Sequence, residues 1–155
     1  MVRKAELRDI KAMMQLLLQV DNVHNQIRPD LFRGNTTKYT EQQLADILNE
    51  PSSPIFVYED ADGRVLGHAF CQVSQFSGHH LLQDVKTLYI DDICVDEKFR
   101  GHHVGQDLYL YVRDYARSIG CYNITLNVWE GNDAALAFYR RMGMKVQKTG
   151  MESLL

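Results

Sequence analysis

The chain has 155 residues, 45% of them hydrophobic and 24% charged, with a formal net charge of −3. That length and composition fit one globular domain over residues 1–155, with a core that needs neither disulfides nor metal. The acidic balance argues against a general nucleic-acid binder, and no apolar run approaches the roughly 20 residues that cross a bilayer.

The first residues, Met1 to Glu6, lack the apolar core of a signal peptide. A short strand is predicted at Val2–Ala5. Leu7, Ile10, Met13, Met14, Leu17 and Leu18 then recur at helical spacing, which predicts an amphipathic helix from Leu7 to about Val20. Asp9 falls in its first turn, where a negative charge suits the helix dipole. The polar stretch Asp21–Tyr39, with Pro29 and Gly34, reads as a loop or broken helix. Thr40-Glu41-Gln42-Gln43 is a capped start for a short helix that ends before Pro51.

Pro54–Glu59 and Arg64–Phe76 read as the two strands of a hairpin about the turn Asp60–Gly63. Ser77–Lys86 is a loop carrying His79 and His80. Leu88–Val95 is a central strand with two acids, Asp91 and Asp92, which simple alternation sends to opposite faces. The turn Asp96–Phe99 leads into Arg100-Gly101-His102-His103-Val104-Gly105-Gln106. Val104, Leu108, Tyr111, Val112, Tyr115, Ala116 and Ile119 then form a helical stripe that Gly120 ends. Tyr122–Val128 is a further strand. Asn132 is an N-cap for a helix reaching Met142, with Gly143 as its stop. Lys145–Lys148 and Met151–Leu155 read as final short strands. Strand–helix–strand order at the centre predicts a parallel pair, and the hairpin makes the sheet mixed.

A loop that empties into a helix N-terminus leaves backbone N–H groups without partners. With the positive end of the dipole and Arg100 beside them, those groups suit a phosphate or pyrophosphate; the alternative for the loop taken alone is a plain strand–turn–helix connection with no ligand. Arg100-x-x-x-x-Gly105 resembles the pyrophosphate loop of the GNAT superfamily of N-acetyltransferases, and Asn132-Asp133-Ala134-Ala135-Leu136-Ala137-Phe138-Tyr139 resembles the same superfamily's Asn-x-x-Ala-x-x-Phe-Tyr segment. The likeness extends over nearly the whole chain but is specific only from Leu88 to Met144. One residue departs from the pattern: His103 stands where the loop usually has its first glycine. His adopts positive φ more readily than most residues, so the departure bears on loop shape and CoA affinity.

The resemblance implies an α/β fold: a mostly antiparallel mixed sheet with one splayed parallel pair, Leu88–Val95 and Tyr122–Val128, and flanking helices. It implies acetyl-CoA as co-substrate, held by Ile93, Cys94, Val95, Arg100, Gly101, His102, His103, Val104, Gly105, Gln106, Asn132 and Tyr139. The Ile93 amide matches the donor to the acetyl oxygen and the Val95 amide the donor to pantetheine. Tyr139 matches the acid that protonates the leaving thiolate; its alternative is a core aromatic beside Phe138.

Tyr89-Ile90-Asp91-Asp92-Ile93 is similar to the corresponding strand of spermidine/spermine N-acetyltransferases, where Asp91 matches the residue that deprotonates the amine. Asp92 is the second candidate, and pairing with a nearby Arg or Lys is the bland reading of either. His79-His80 and His102-His103 lack zinc spacing and read as solvated, His24 and His68 as structural, so no metal is expected. Trp129 lines the acceptor channel or packs in the core. Cys71, Cys94 and Cys121 are odd in number with no Cys-x-x-Cys pair, and are expected to be reduced thiols in a cytoplasmic protein.

The expected activity is direct transfer of acetyl from acetyl-CoA to a primary amine in a ternary complex. The acceptor is a small amine, polyamine, aminoglycoside or peptide N-terminus, with a homodimer possible and no nucleic acid or membrane partner. The alternatives are a non-catalytic CoA sensor and a structural interaction domain.

Overall fold

The computed structural model describes residues 1–155. Five strands, β1 (Val2–Lys4), β2 (Ile55–Glu59), β3 (Val65–Gln75), β4 (Lys86–Val95) and β5 (Asn123–Thr125), lie side by side in chain order. Neighbours are antiparallel except β4 and β5, which are parallel. The mixed sheet and its one parallel pair are as the sequence predicts. Helices α1 (Ile10–Ile27) and α2 (Glu41–Leu48) cover one face; α3 (Val104–Ser118) covers the other, and α4 (Asp133–Arg141) follows β5.

Each face has its own apolar layer. Phe56, Leu66, Ala69, Leu88 and Ile90 meet Val104, Leu108 and Val112 of α3. Ile55, Val57 and Phe70 meet Met13 and Leu17 of α1 and Leu44 of α2. A fully buried side chain of this size contributes about 1.5–3 kcal/mol. The α2 start carries the predicted capping box: Thr40 Oγ1 accepts from the Gln43 amide at 3.2 Å, and Gln43 Oε1 accepts from the Thr40 amide at 2.8 Å. Asn132 caps α4, its Oδ1 accepting from the Ala135 amide at 3.3 Å.

Four expectations change. The first helix does not end near Val20 but runs to Ile27, preceded by a single 3-10 turn at Leu7–Asp9. Its inward stripe continues through Val20, His24 and Ile27, so a polar imidazole at a stripe position hid the last turns. The last strand before α4 is three residues long instead of seven, because pairing with β4 stops at Tyr89↔Thr125. No strand forms in residues 145–155, where Val146, Met151, Leu154 and Leu155 stay exposed: alternation alone makes no strand without an edge to pair with.

The fourth change is a β-bulge. Phe70 pairs with Asp92 and Cys71 with Ile90, leaving Asp91 as the extra residue of β4. One inserted residue breaks the alternation. Leu88, Ile90, Ile93 and Val95 all remain on the α3 side, while Asp91 and Asp92 both turn toward α1 instead of to opposite faces.

Candidate functional site

Beyond Tyr89 and Thr125 the parallel strands part, and an open cleft begins there. Ile90, Asp91, Asp92 and Ile93 form its floor, Val20 and His24 of α1 one side, and Leu126, Asn127, Val128, Trp129, Asn132, Ala135 and Tyr139 the other. Along this opening β4 has no strand to pair with. The Asp96 amide donates to the Leu66 carbonyl at 2.9 Å, which fixes the phase of the β3–β4 ladder. Cys94 then shares hydrogen bonds with His68, while Ile93 and Val95 alternate with it and point their N–H and C=O groups away from β3. The Val95 carbonyl indeed accepts from Arg100 Nε at 3.3 Å on that side.

The loop before α3 supplies a second set of open donors. None of the backbone N–H groups from Gly101 to Gln106 donates to a protein acceptor; the first bond of α3 is Asp107 N–H to the His103 carbonyl. Gly101 and His103 both take positive φ, 82° and 63°. His103 therefore adopts the left-handed conformation that its position requires, and its ring rests against Gln106, Nδ1 to Oε1 at 3.2 Å. A Cβ built on Gly105 would lie 3.4 Å from Val95 and 3.6 Å from Phe138, so its missing side chain keeps the gap between β4 and α4 narrow but open. A run of free amides at a helix N-terminus is an anion site in chemical terms, and Arg100, His102 and His103 are exposed beside it.

The opposite end of the cleft is acidic. Asp91 Oδ2 meets the Lys38 ammonium at 2.6 Å. Asp92 Oδ2 meets His68 Nε2 at 2.7 Å. Asp21, on the seventh-to-last residue of α1, accepts from the Lys38 amide at 2.8 Å. Burial pushes the Asp21 carboxyl above the usual carboxylate range, and the neighbouring charge of Asp92 adds to that. Tyr139 lines the same cleft without a hydrogen bond to its phenol, packed on Phe138 and Tyr109. Burial first, then the charge of Asp92, raise that phenol above its ordinary value and keep it protonated.

Of the sequence-derived candidates, Cys94 is buried, its Sγ donating to the Leu16 carbonyl at 3.3 Å and its backbone paired with His68. The Arg100–Gln106 loop precedes α3, with Gly105 beside Val95 and Phe138. Asp91, Asp92, Ile93, Asn132 and Tyr139 line the cleft itself. Trp129 stands at its rim, edge-to-face with Phe32 at 5.3 Å and under the Arg28 guanidinium at 5.9 Å. The two histidines read as structural stand close to the candidates: His24 lines the cleft, and His68, fully buried, bonds a cleft aspartate. The sequence carried a signal for both, in the helical stripe reaching His24 and in the two-three-two spacing of Leu88, Ile90, Ile93 and Val95 that marks the bulge.

The Acetyltransferase (GNAT) family model matches residues 20–144. The chain belongs to the GNAT acetyltransferase family. The GNAT fold accounts for the split sheet, and solved structures share it end to end. A point variant of the BH1408 protein from Bacillus halodurans is 30% identical, with a TM-score of 0.95 over 100% of this chain and 99% of that one. Glucosamine-6-phosphate N-acetyltransferase from Arabidopsis thaliana is 22% identical, with a TM-score of 0.73 over 99% and 97%. An aminoglycoside acetyltransferase from an uncultured soil metagenomic sample, in complex with trehalose, is 18% identical, with a TM-score of 0.76 over 100% and 95%. As a GNAT protein the chain is an acyltransferase; the last two likenesses, at this identity, speak for its fold.

Proposed function

We propose that this acyltransferase moves an acetyl group from acetyl-CoA to the primary amine of a cationic acceptor, by direct attack in a ternary complex. One observation carries the reading. The Ile93 amide, turned away from β3, faces a cleft lined by a protonated phenol and two carboxylates, and the Gly101–Gln106 loop, whose backbone N–H groups have no protein partner, lies at Gly105 beside Val95 and Phe138.

The parts suit the chemistry in sequence. The loop amides and Arg100 would hold the pyrophosphate, with His102, His103, Val104, Gly105 and Gln106 close against it. The Val95 amide would hold the pantetheine, Cys94 between it and Ile93 would anchor that stretch of β4 to His68, and Asn132 would border the pantetheine from the α4 cap. The Ile93 amide would polarise the acetyl carbonyl, where developing charge rewards a fixed donor. Asp91 or Asp92 would take the proton of the arriving ammonium, and Tyr139 would give one to the departing thiolate. The acidic end favours a positively charged acceptor: of its three carboxylates, only Asp91 meets a lysine ammonium.

The test is a panel of amines incubated with acetyl-CoA while free thiol is read. Cationic amines should release thiol in proportion to acetylated product. Tight binding of acetyl-CoA with no thiol released from any amine would make the protein a sensor instead, and no binding at all would leave only the fold.

A further inference from the structure

His68 is completely buried in β3, and nothing in the acetyl-transfer reading so far uses it. Its Nε2 lies 2.7 Å from Asp92 Oδ2, while its Nδ1 is buried and has no partner. A carboxylate can only accept, so Nε2 carries the proton of this bond. An unpaired ring nitrogen is tolerable as a bare acceptor and costly as an N–H, which leaves Nδ1 unprotonated. The ring is fixed by Phe70, edge-to-face at 4.8 Å, and Phe70 is in turn stacked on Tyr39 at 5.9 Å. Asp92 therefore has one oxygen pinned from beneath. Its Oδ1 has no protein partner and is not among the buried unpaired atoms, so it is open to the cleft that Tyr139 lines.

Asp91 is held differently. Its partner Lys38 is a flexible ammonium whose side chain is 46% exposed. Taking up a proton there would break an ion pair with a permanent cation. Asp92 faces a rigid imidazole and can change charge without losing its partner.

We infer that Asp92 is the group that accepts the acceptor amine's proton, and that His68 is the positioning residue that holds it, through an Nε2–H bond, with Oδ1 turned into the cleft. This deepens the acetyl-transfer reading and rests on it. The proton balance closes. A substrate ammonium loses two protons on becoming an amide: the first passes to Asp92 Oδ1 and on to solvent. As the amine attacks, the C–S bond breaks and Tyr139 protonates the thiolate; the second amine proton replaces the one that Tyr139 gave. The elements around the dyad bring Asp21 and His24 from α1, Asp91 and Cys94 from β4, Lys38 and Tyr39 from the segment before α2, and Tyr139 from α4. Any pH profile includes their charges.

Two measurements test it. Nitrogen-15 NMR of the wild-type protein, with histidine labelled, should find His68 with its proton on Nε2; a proton on Nδ1 overturns the assignment without any substitution. In steady-state assays, His68→Leu should lower kcat by about ten- to a hundredfold and displace the acidic limb of the pH–rate profile. Acetyl-CoA affinity should stay within about twofold of wild type, since His68 does not border the loop. His68→Gln, whose amide N–H reaches the place of Nε2, should recover most of the loss. Combined with Asp92→Asn, His68→Leu should add nothing further, because it acts only through that carboxylate. Equal losses in the Leu and Gln variants, tracking melting temperature, or additive losses in the double variant, make His68 a packing residue. If His68→Leu does not fold, the tautomer and the Gln variant decide. A wild-type protein inert toward every amine overturns the acetyl-transfer reading itself, whereas an active one with an uncoupled His68 overturns the positioning role alone.

Discussion

The Gly101–Gln106 loop and the acidic wall around Asp92 are assembled in different ways. The loop is a single run of chain whose working parts are backbone amides, presented by two positive-φ residues and the start of α3. The wall gathers side chains from four places: Asp91 and Asp92 from β4, His68 from β3, Asp21 and His24 from α1, and Lys38 from the segment before α2. A site of contiguous backbone tolerates a change of side chain, which is how His103 can occupy a position usually held by glycine. A site of convergent side chains depends on each partner and on the bulge that turns two adjacent aspartates the same way.

That contrast predicts the largest effect at the wall. Asp92→Asn removes a proton acceptor in direct reach of the cleft and should lower turnover by about 10²- to 10⁴-fold. Asp91→Asn should cost less, since Asp91 already serves Lys38. Steady-state rates of the two variants against one amine rank them, and a steeper loss at Asp91 would hand the proton to the carboxylate that the strand resemblance favours.

Tyr139→Phe sits where the two halves meet. It keeps the ring packed on Phe138 and Tyr109, and removes only the hydroxyl. An acid needed as the C–S bond breaks lowers kcat and kcat/KM together. The expected loss is about ten- to a thousandfold, with acetyl-CoA affinity and melting temperature near wild type. Retained rate would mean that solvent protonates the thiolate.

A smaller effect is expected at the loop. A single Cβ at Gly105 meets Val95 and Phe138 at ordinary contact distance, so Gly105→Val should fold, but its branches fill the gap between β4 and α4. Acetyl-CoA affinity by calorimetry should fall by about tenfold, equal to about 1.4 kcal/mol, with turnover at saturation little changed. Unchanged affinity would take this position out of the cofactor path.

The smallest effect is on stability and has a definite sign. The Asp21 carboxyl is raised in the folded state, by burial first and then by Asp92. An acid with a folded value above its unfolded one opposes folding when ionised. The penalty is absent below the unfolded value near pH 4 and grows as pH rises through the folded one. Asp21→Asn should therefore melt higher than wild type at pH 7 and equally below about pH 4, while its KM for a cationic amine rises. Thermal scans at the two pH values check this, and a variant that melts lower at pH 7 would show Asp21 to be a stabilising link to the Lys38 amide. Gain of stability with loss of binding would mark the wall as built for a ligand.

The amino-acid sequence by itself determined the order of elements, the parallel pair, the caps at Thr40 and Asn132, and the loop with Gly101 and His103. Each of these depends on residues close together in the chain: periodicity, a capping side chain, a backbone angle. The length of α1, the missing strands after Met144, the bulge at Asp91 and the pairing of His68 with Asp92 were decided by the tertiary structure. A strand needs an edge, and the tail finds none. Residues 24 positions apart meet only when β3 and β4 pair. The inserted residue in that pairing, not the alternation written in the sequence, decides which face both aspartates share. Short-range rules reach no further than the segment they act on, and the acidic wall exists only once distant segments have packed together.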